Sequence, residues 1–267
     1  MYKFAVFGNP IAHSLSPSIH AQFAQQTGLH IRYEKILAPV GAFAVKADEF
    51  IQQGADGFNV TVPFKLDAFA FANQHTLYAK TAGAVNTLKI DGTDLIGDNT
   101  DGIGLVHDLT KNLGITLNHK TILILGAGGA TRGIVLPLLE HRPSCLMIAN
   151  RTATKAMQLA QDFSHYGNID GFGLEKIGNT TVDIIINATS ASLNNAMPYI
   201  ANRCANNAIC YDLMYGKQTP FMQWAANNQA KMVVNGLGML VEQAAASFEF
   251  WTGKIPDTAA VIKQLRR

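Results

Sequence analysis

The run Thr121-Ile122-Leu123-Ile124-Leu125-Gly126-Ala127-Gly128-Gly129-Ala130 decides the fold class of this chain. Its first five residues, four of them large and apolar, are typical of a parallel strand that is buried on both faces. The glycines open a helical pattern with Ile134, Leu138 and Leu139 on one face. A strand, a glycine-rich turn and a helix in this order let the backbone approach a pyrophosphate at the helix N-terminus. The run therefore predicts a dinucleotide-binding α/β unit, and the alternative is a tight turn without a ligand.

The segment after the next predicted strand indicates which dinucleotide is bound. NAD enzymes usually carry an acidic residue there, which binds the ribose hydroxyls. This chain has Asn150-Arg151-Thr152-Ala153-Thr154-Lys155, with two cations and no carboxylate. A guanidinium forms paired, charge-assisted hydrogen bonds with a phosphate. The segment favours NADP over NAD, whereas the alternative makes Thr152 a helix cap and Lys155 a solvated charge.

The first hundred residues alternate short β-rich runs with longer helical patterns. Strands are predicted at 3–7, 31–37 and 57–62, and helices from Pro17, at about 41–53 and from about 64. This alternation predicts parallel strands with helical crossovers. Two further β-like runs, near 84–90 and 94–97, flank Asp91-Gly92, which is a hairpin signal and predicts a mixed sheet.

A second α/β unit begins after Asp101 with a helical run over 102–113. The fold class is therefore α/β with two domains. We expect a mixed-sheet domain over 1–101 and a Rossmann-type domain over 102–237, which contains the glycine-rich run.

Composition argues against several classes of function. Of the 267 residues, 48% are hydrophobic and 15% are charged, so a packed core is expected rather than a disordered chain. The 21 basic and 19 acidic residues lack the basic surplus that is typical of nucleic-acid or membrane-surface binding. Cys145, Cys204 and Cys210 fit no zinc or disulfide spacing, so we expect reduced thiols and no metal site. No signal peptide or membrane span is visible, and we expect a cytoplasmic protein.

Two serines precede the first predicted helix, in the run Ser14-Leu15-Ser16-Pro17. Ser16 is a good N-cap and Pro17 a good first helical residue. Capping alone would explain Ser16 but not Ser14. Two hydroxyls beside free helix N–H groups also make a site for a carboxylate. Both interpretations stay open at this point.

The run Gly57-Phe58-Asn59-Val60-Thr61-Val62-Pro63-Phe64-Lys65 places two polar residues near the end of a strand. Asn59 and Thr61 point to one face, although parallel strands between helices normally bury both faces. Ligands of open α/β sheets bind in a crevice at the carboxyl ends of strands. Lys65 would lie in the first turn of the next helix, where the dipole disfavours a cation. The run therefore indicates a functional site, with a surface lysine as the alternative.

Asn86 and Asp101 are further polar residues at the ends of predicted strands or loops. Asn and Asp are also common in turns for structural reasons alone. Each residue by itself is therefore compatible with either a site or a turn.

Together these motifs resemble the shikimate dehydrogenase family, along nearly the whole chain. The resemblance is carried by runs in sequence order: Gly8-Asn9-Pro10-Ile11 with Ser14-Leu15-Ser16-Pro17; Asn59-Val60-Thr61-Val62-Pro63-Phe64-Lys65; Gly83-Ala84-Val85-Asn86-Thr87; Gly97-Asp98-Asn99-Thr100-Asp101-Gly102; Gly126-Ala127-Gly128-Gly129-Ala130; Asn150-Arg151-Thr152; Asn187-Ala188-Thr189-Ser190; Asp212-Leu213-Met214-Tyr215; and Gly236-Leu237-Gly238-Met239-Leu240-Val241 leading to Gln243.

The resemblance implies an oxidoreductase that reduces 3-dehydroshikimate to shikimate with NADPH, reversibly, on the route to chorismate and aromatic amino acids. It implies that Ser14 and Ser16 hold the substrate carboxylate and that Lys65 and Asp101 are the catalytic pair. The other implied substrate contacts are Asn59, Thr61, Asn86, Tyr215 and Gln243. The implied cofactor contacts are Gly126, Ala127, Gly128, Gly129, Ala130, Asn150, Arg151, Thr152, Lys155, Thr189, Ser190, Met214 and Gly236.

The residue types suit this chemistry. Hydride transfer to a ketone leaves an oxygen that must gain a proton, and an ammonium beside that oxygen can serve in both directions. Lys65 fits that role, and Asp101 would hold the lysine and the hydroxyl in place. The sequence leaves open which of the two accepts the proton. By analogy with the family, a C-terminal helix at about 239–251 carries Gln243 back, so that residues 238–267 complete the first domain.

Two other functions compete with this interpretation. One is a quinate/shikimate dehydrogenase of broader range that uses NAD or NADP, and the other is a non-catalytic NADP-binding sensor of the same fold. Arg151 and Lys155 argue against NAD, and the paired serines favour shikimate. Retention of Lys65 together with Asp101 argues against a sensor. The expected partner is a small-molecule substrate, and the expected state is a monomer or a homodimer.

Overall fold

The computed structural model describes residues 1–178 and 180–266, and the chain divides into two compact units. Unit 1 comprises Met1–Gly104 and Leu240–Arg267, and unit 2 comprises Leu105–Met239. Within the described residues each unit holds one six-stranded sheet. The expected divisions, after residue 101 and before residue 238, lie close to these two.

Unit 1 alternates strands and helices and then ends in a hairpin and a helix. Its elements up to the first division are β1 (Tyr2–Gly8), α1 (Ser16–Thr27), β2 (Ile31–Leu37), α2 (Phe43–Gln52), β3 (Gly57–Val60), α3 (Lys65–Phe71), β4 (Gln74–His75), α4 (Leu77–Ala82), β5 (Thr87–Asp91), β6 (Asp94–Asp98) and α5 (Asp101–His107). The strand order is β2-β1-β3-β5-β6-β4. Because β5 is antiparallel to both β3 and β6, the sheet is mixed, and this prediction is confirmed.

The hairpin joins β5 to β6 through Gly92 and Thr93, with Asp91 paired to Asp94. Gly92 has a φ of +61°, in the left-handed region, which glycine adopts without a steric penalty. A two-residue loop needs this backbone geometry, so the Asp-Gly signal identified the turn correctly.

Unit 2 is a parallel sheet with helical crossovers. The elements from residue 121 onward are β7 (Thr121–Leu125), α6 (Gly129–Glu140), β8 (Cys145–Asn150), α7 (Ala153–Phe163), β9 (Ile169–Gly173), β10 (Ile184–Asn187), β11 (Ile209–Asp212), α8 (Pro220–Asn227), β12 (Met232–Asn235), α9 (Leu237–Thr252) and α10 (Thr258–Leu265). Helix α9 begins in unit 2 and continues into unit 1, and α10 belongs to unit 1. The strand order β12-β11-β10-β7-β8-β9 reverses direction between β7 and β10. This is the Rossmann order, as predicted, and ligands bind such sheets where the order reverses.

Helices cover both faces of the unit 1 sheet. On one face Phe7, Phe43, Phe58 and Phe64 are almost completely buried. The Phe7 and Phe43 rings meet edge to face, with their centroids 5.7 Å apart. Burial of each such side chain contributes about 2 to 3 kcal/mol relative to exposure. On the other face α9 packs against α1, with Val241, Ala244 and Phe248 beside Ile19 and Phe23.

Some element boundaries differ from the sequence prediction. Helix α1 begins at Ser16, so Leu15 and not Ser16 occupies the N-cap position. The Ser14 hydroxyl accepts a hydrogen bond from the Ser16 N–H at 3.3 Å, which explains why Ser16 itself can enter the helix. Strand β3 ends at Val60 rather than at 62, because the Phe64 N–H donates to the Thr61 carbonyl and starts a turn. The helical run predicted over 102–113 is α5 followed by a π-helical turn, Asp108–Asn112.

His20 is fully buried on the inner face of α1. Its ring stacks on Tyr33, with centroids 4.4 Å apart, and neither ring nitrogen has a hydrogen-bond partner among the described residues. Burial lowers the pKa of His20 to about 3. The imidazole is therefore neutral at physiological pH.

We expect His20 to make the protein sensitive to acid. The unfolded chain binds a proton at a pKa of about 6.5, whereas the folded protein binds it only near 3, so the free energy of unfolding falls as the pH drops through this range. Between pH 7 and pH 5 the loss through His20 should be about 2 kcal/mol. Denaturant unfolding of the wild type and His20→Phe at both pH values measures it. The exposed His30, changed to Phe, is the control, and an equal loss in all three proteins would contradict the prediction.

Candidate active site

Lys65 and Asp101 form an ion pair within unit 1. Lys65 is the first residue of α3, and Asp101 is the first residue of α5. The α5 dipole favours the Asp101 carboxylate, whereas the α3 dipole disfavours the Lys65 ammonium, so the carboxylate supplies the favourable partner. The Lys65 and Asp101 side chains are 29% and 13% exposed. Both groups are therefore largely shielded and still reachable by a small molecule.

Asn86 holds the second oxygen of Asp101. Its Nδ2 donates to Asp101 Oδ1 at 2.9 Å, and its Oδ1 accepts the Thr100 backbone N–H at 2.9 Å. A backbone N–H only donates, so this contact fixes which way the amide faces. Asn86 Nδ2 also donates to Gln243 Oε1 at 3.3 Å. Four predicted site residues, Lys65, Asn86, Asp101 and Gln243, thus belong to one hydrogen-bonded cluster.

Asn59 lies behind this cluster and is 6% exposed. Its Oδ1 accepts the Tyr33 hydroxyl at 2.7 Å. Its Nδ2 donates to the Asn86 carbonyl at 3.2 Å and to the hydroxyls of Thr87 and Ser247 at 3.0 Å each. The amide is thus occupied by protein groups on both sides. Its visible role is to support Asn86, and its contact with substrate stays a prediction.

Ser14 and Ser16 lie together at the start of α1. The Ser14 hydroxyl donates to Ser16 Oγ at 3.2 Å. Hydroxyls beside the free N–H groups of a helix's first turn are suited to bind an anion. Thr61 follows the end of β3 and is half-buried. Tyr215 belongs to unit 2, in the segment after β11, where burial raises the pKa of its hydroxyl and keeps it neutral.

Sequence reasoning missed three buried hydroxyls, those of Thr87, Thr100 and Ser247, each at most 1% exposed. Thr87 and Thr100 lie within two of the motifs that carry the family resemblance, but the sequence alone indicated no function for either hydroxyl. Ser247 lies one helical turn after Gln243, among apolar core positions of α9. A polar residue at a core-facing position is the signal that could have identified it.

The glycine-rich loop of unit 2 borders a cavity of about 870 Å³, a volume typical of small-molecule sites. Gly126 has a φ of +103°, and a Cβ there would lie 3.3 Å from the Ala188 carbonyl oxygen. A Cβ at Gly128 or Gly129 would meet no atom within 4 Å, so these glycines leave open space beside the backbone. The N–H groups of the first turn of α6 follow directly. Bare backbone and free N–H groups are what a dinucleotide diphosphate requires, so the residues fit such a cofactor.

Thr131 stands where the third glycine of the dinucleotide pattern is expected. The residue is fully buried, and its hydroxyl donates to the Gly126 carbonyl at 2.9 Å. The threonine thus closes the loop onto α6 with a hydrogen bond. This contact explains how the loop keeps its shape without the glycine.

Most of the predicted cofactor residues line this cavity. They are Gly126, Ala127, Gly128, Gly129, Ala130, Asn150, Arg151, Thr152, Lys155, Thr189 and Ser190. Thr152 holds the N-cap position of α7, but its side chain makes no capping hydrogen bond. Met214 and Gly236 do not line the cavity. They lie after β11 and β12, where the Gly236 N–H donates to the Met214 carbonyl at 2.9 Å.

Comparison with known proteins decides the family. Residues 6–88 match the model described as shikimate dehydrogenase substrate binding domain, and residues 108–209 match shikimate / quinate 5-dehydrogenase. Residues 236–266 match the shikimate 5'-dehydrogenase C-terminal domain. The shikimate dehydrogenase (NADP(+)) of Ruthia magnifica is 65% identical over 266 residues, covering 100% of both chains. This chain belongs to the shikimate dehydrogenase family.

Solved structures of two similar proteins agree with this shikimate dehydrogenase fold. An Ael1 enzyme from Pseudomonas putida is 41% identical, with a TM-score of 0.95 over 99% of this chain and 98% of that one. Shikimate 5-dehydrogenase from Thermus thermophilus, in complex with NADP(H) and shikimate, is 34% identical, with a TM-score of 0.88 over 100% of this chain and 99% of that one.

The side chains and helices of the described ranges, 1–178 and 180–266, bear on metal binding and membrane spanning in this member of the shikimate dehydrogenase family. Neither range holds a cluster of three or more His, Cys, Asp or Glu side chains that could bind a metal ion. Every helix in these ranges is too short or too polar to cross a membrane.

Proposed function

We propose that this protein catalyses the reversible, NADPH-dependent reduction of 3-dehydroshikimate to shikimate. The observation that carries the proposal is the Lys65–Asp101 ion pair, which Asn86 holds from its second side. The similar protein from Ruthia magnifica, named shikimate dehydrogenase (NADP(+)), supports the same reaction. We assign substrate binding to unit 1 and cofactor binding to unit 2.

Lys65 is the group that we assign to proton transfer. When the substrate ketone is reduced, its oxygen gains an electron pair and takes a proton from the Lys65 ammonium. In the reverse direction the neutral amine accepts the proton of the alcohol. When bound, NADP supplies or accepts the hydride. Asp101 accepts a hydrogen bond from Lys65 and so fixes the direction in which the Lys65 Nζ can face the reacting oxygen.

The remaining predicted residues divide between the two ends of the substrate. Ser14 and Ser16 offer hydroxyls, and α1 offers free N–H groups, to the carboxylate. Thr61, Asn86 and Gln243 supply neutral polar groups that suit ring hydroxyls. The substrate contact of Tyr215, which belongs to unit 2, stays a prediction.

Unit 2 supplies the cofactor contacts. The loop from Gly126 to Ala130 would hold the diphosphate, and Arg151 and Lys155 would hold the 2′-phosphate that distinguishes NADP from NAD. Thr189 and Ser190 border the same cavity. Contacts from Met214 and Gly236 stay predictions, as do the monomeric or homodimeric state and the cytoplasmic location.

Absorbance of the reduced nicotinamide tests the proposal with four combinations of substrate and cofactor. Shikimate and quinate are each offered with NADP⁺ and with NAD⁺, and kcat/KM is measured for all four. We expect kcat/KM to be clearly higher for shikimate with NADP⁺ than for the other three combinations. Comparable values with quinate or NAD⁺ would indicate the broader dehydrogenase. Binding of NADP⁺ without turnover of either substrate would indicate a sensor and refute the enzyme.

A further inference from the structure

Ser247 is a buried hydroxyl to which the reaction above gives no role. It lies on α9, is completely buried, and faces the strand β5 and the loop before α5. Its Oγ lies 2.7 Å from Thr87 Oγ1, 3.2 Å from Thr100 Oγ1 and 3.0 Å from Asn59 Nδ2. It also donates to the Gln243 carbonyl at 3.0 Å, one turn earlier in the helix. A single hydroxyl therefore joins four parts of unit 1.

The number of hydrogens and lone pairs on each group limits which group can donate in each hydrogen bond of this cluster. A serine hydroxyl has one hydrogen and two lone pairs. With its hydrogen on the Gln243 carbonyl, Ser247 can only accept from its other neighbours. Asn59 Nδ2, which can only donate, takes one lone pair. The second accepts a hydrogen from one of the two threonines, Thr87 or Thr100.

Both threonines also contact Asn86. Thr87 Oγ1 lies 2.9 Å and Thr100 Oγ1 3.3 Å from Asn86 Oδ1, and the threonine that does not donate to Ser247 can donate to this oxygen. Asn86 Nδ2 donates to Thr100 Oγ1 at 3.0 Å. The amide that orients Asp101 is thus held by two hydroxyls that both also contact Ser247. These groups are buried, so no solvent competes for their hydrogen bonds.

We propose that Ser247 is a positioning residue for proton transfer: through Thr87 and Thr100 its hydroxyl fixes the Asn86 amide, and the amide orients the Asp101 carboxylate beside Lys65. The inference rests on the proposed function, because it assigns Ser247 to the reaction of the same site. Ser247 touches neither Lys65 nor Asp101 in the described contacts, so it acts only through its neighbours. The same hydroxyl anchors α9 against β5, which places Gln243 beside Asn86.

Two substitutions at Ser247 distinguish the effect of the hydroxyl from the effect of side-chain volume. Ser247→Ala removes the hydroxyl, and Ser247→Cys keeps nearly the same size with a much weaker hydrogen-bonding group. We expect each to lower kcat for shikimate oxidation by about threefold to tenfold, the effect of one or two weakened hydrogen bonds. KM for shikimate should change by less than about twofold, because the groups that bind substrate remain.

Thr252→Ala is the matched control. Thr252 lies on the same helix, and its hydroxyl makes the same kind of bond to a carbonyl one turn earlier, that of Phe248, at 2.7 Å. It should lose some thermal stability and keep its kcat. A merely structural role for Ser247 would produce this same pattern in all three variants, and wild-type kcat in Ser247→Cys would overturn the inference. If the wild type itself failed to oxidise shikimate, the proposed function would fall first, and the assay of the wild type distinguishes the two failures.

Discussion

Lys65→Met is expected to lower kcat for shikimate oxidation by about 100-fold or more. Methionine keeps much of the length and the apolar stem of lysine but can neither give nor take a proton. It also leaves Asp101 without its cationic partner. Since the serines and the ring contacts remain, KM for shikimate should change far less than kcat. Steady-state rates at saturating NADP⁺, with substrate binding followed separately by calorimetry, measure both effects.

Lys46→Met provides a matched control for this substitution. Lys46 is also in unit 1 and also forms an ion pair, with Glu49 at 2.7 Å, but on the exposed surface of α2. Exposed pairs of this kind contribute about 1 kcal/mol or less. The control should therefore turn over shikimate at the wild-type rate. Near-normal turnover in Lys65→Met would remove Lys65 from the mechanism.

The double variant Arg151→Ala/Lys155→Ala is expected to raise KM for NADP⁺ by about 100-fold and to leave KM for NAD⁺ nearly unchanged. Both side chains border the cofactor cavity and are exposed, and none of the described residues that line this cavity carries a carboxylate. The 2′-phosphate is the group that only NADP carries, so losing two cations should affect only that cofactor. Initial rates over a range of each cofactor measure the selectivity.

Arg203→Ala/Lys231→Ala controls for the lost charge. It removes two exposed cations from unit 2 that do not line the cofactor cavity. Its KM for NADP⁺ should stay within about twofold of the wild type, because long-range effects of exposed charges are screened by salt. Equal losses with NADP⁺ and NAD⁺ in the Arg151 and Lys155 variant would refute the assignment of the 2′-phosphate.

The sequence predicted best those features that depend on neighbouring residues. The strand, glycine turn and helix at 121–140 follow one another along the chain, and so do Asp91 and Gly92 in the hairpin. Lys65 and Asp101 are far apart in sequence, and only the family resemblance brought them together before the structure did. Their pairing depends on where α3 and α5 begin, which no local pattern shows.

Features that depend on tertiary contacts were beyond the sequence. Ser247 contacts Thr87 across 160 positions of the chain, and no periodicity links them. The role of Asn59 also depends on tertiary contacts. The alternation of polar and apolar residues predicted a crevice beside Asn59, but strand β3 lies inside the sheet, and neighbouring side chains form hydrogen bonds with both ends of the Asn59 amide. The start of α1 was misplaced by one residue because Ser14, rather than Ser16, accepts the local N–H.

A crystal structure of the protein with shikimate and NADP⁺ would test the assignment of the chemistry most directly. The account predicts that one ring hydroxyl lies within about 3.2 Å of the Lys65 Nζ, and that the carbon bearing it faces the nicotinamide. The substrate carboxylate should contact the hydroxyls of Ser14 and Ser16. A bound shikimate whose hydroxyl at the nicotinamide lay beyond hydrogen-bonding reach of the Lys65 Nζ would contradict the account.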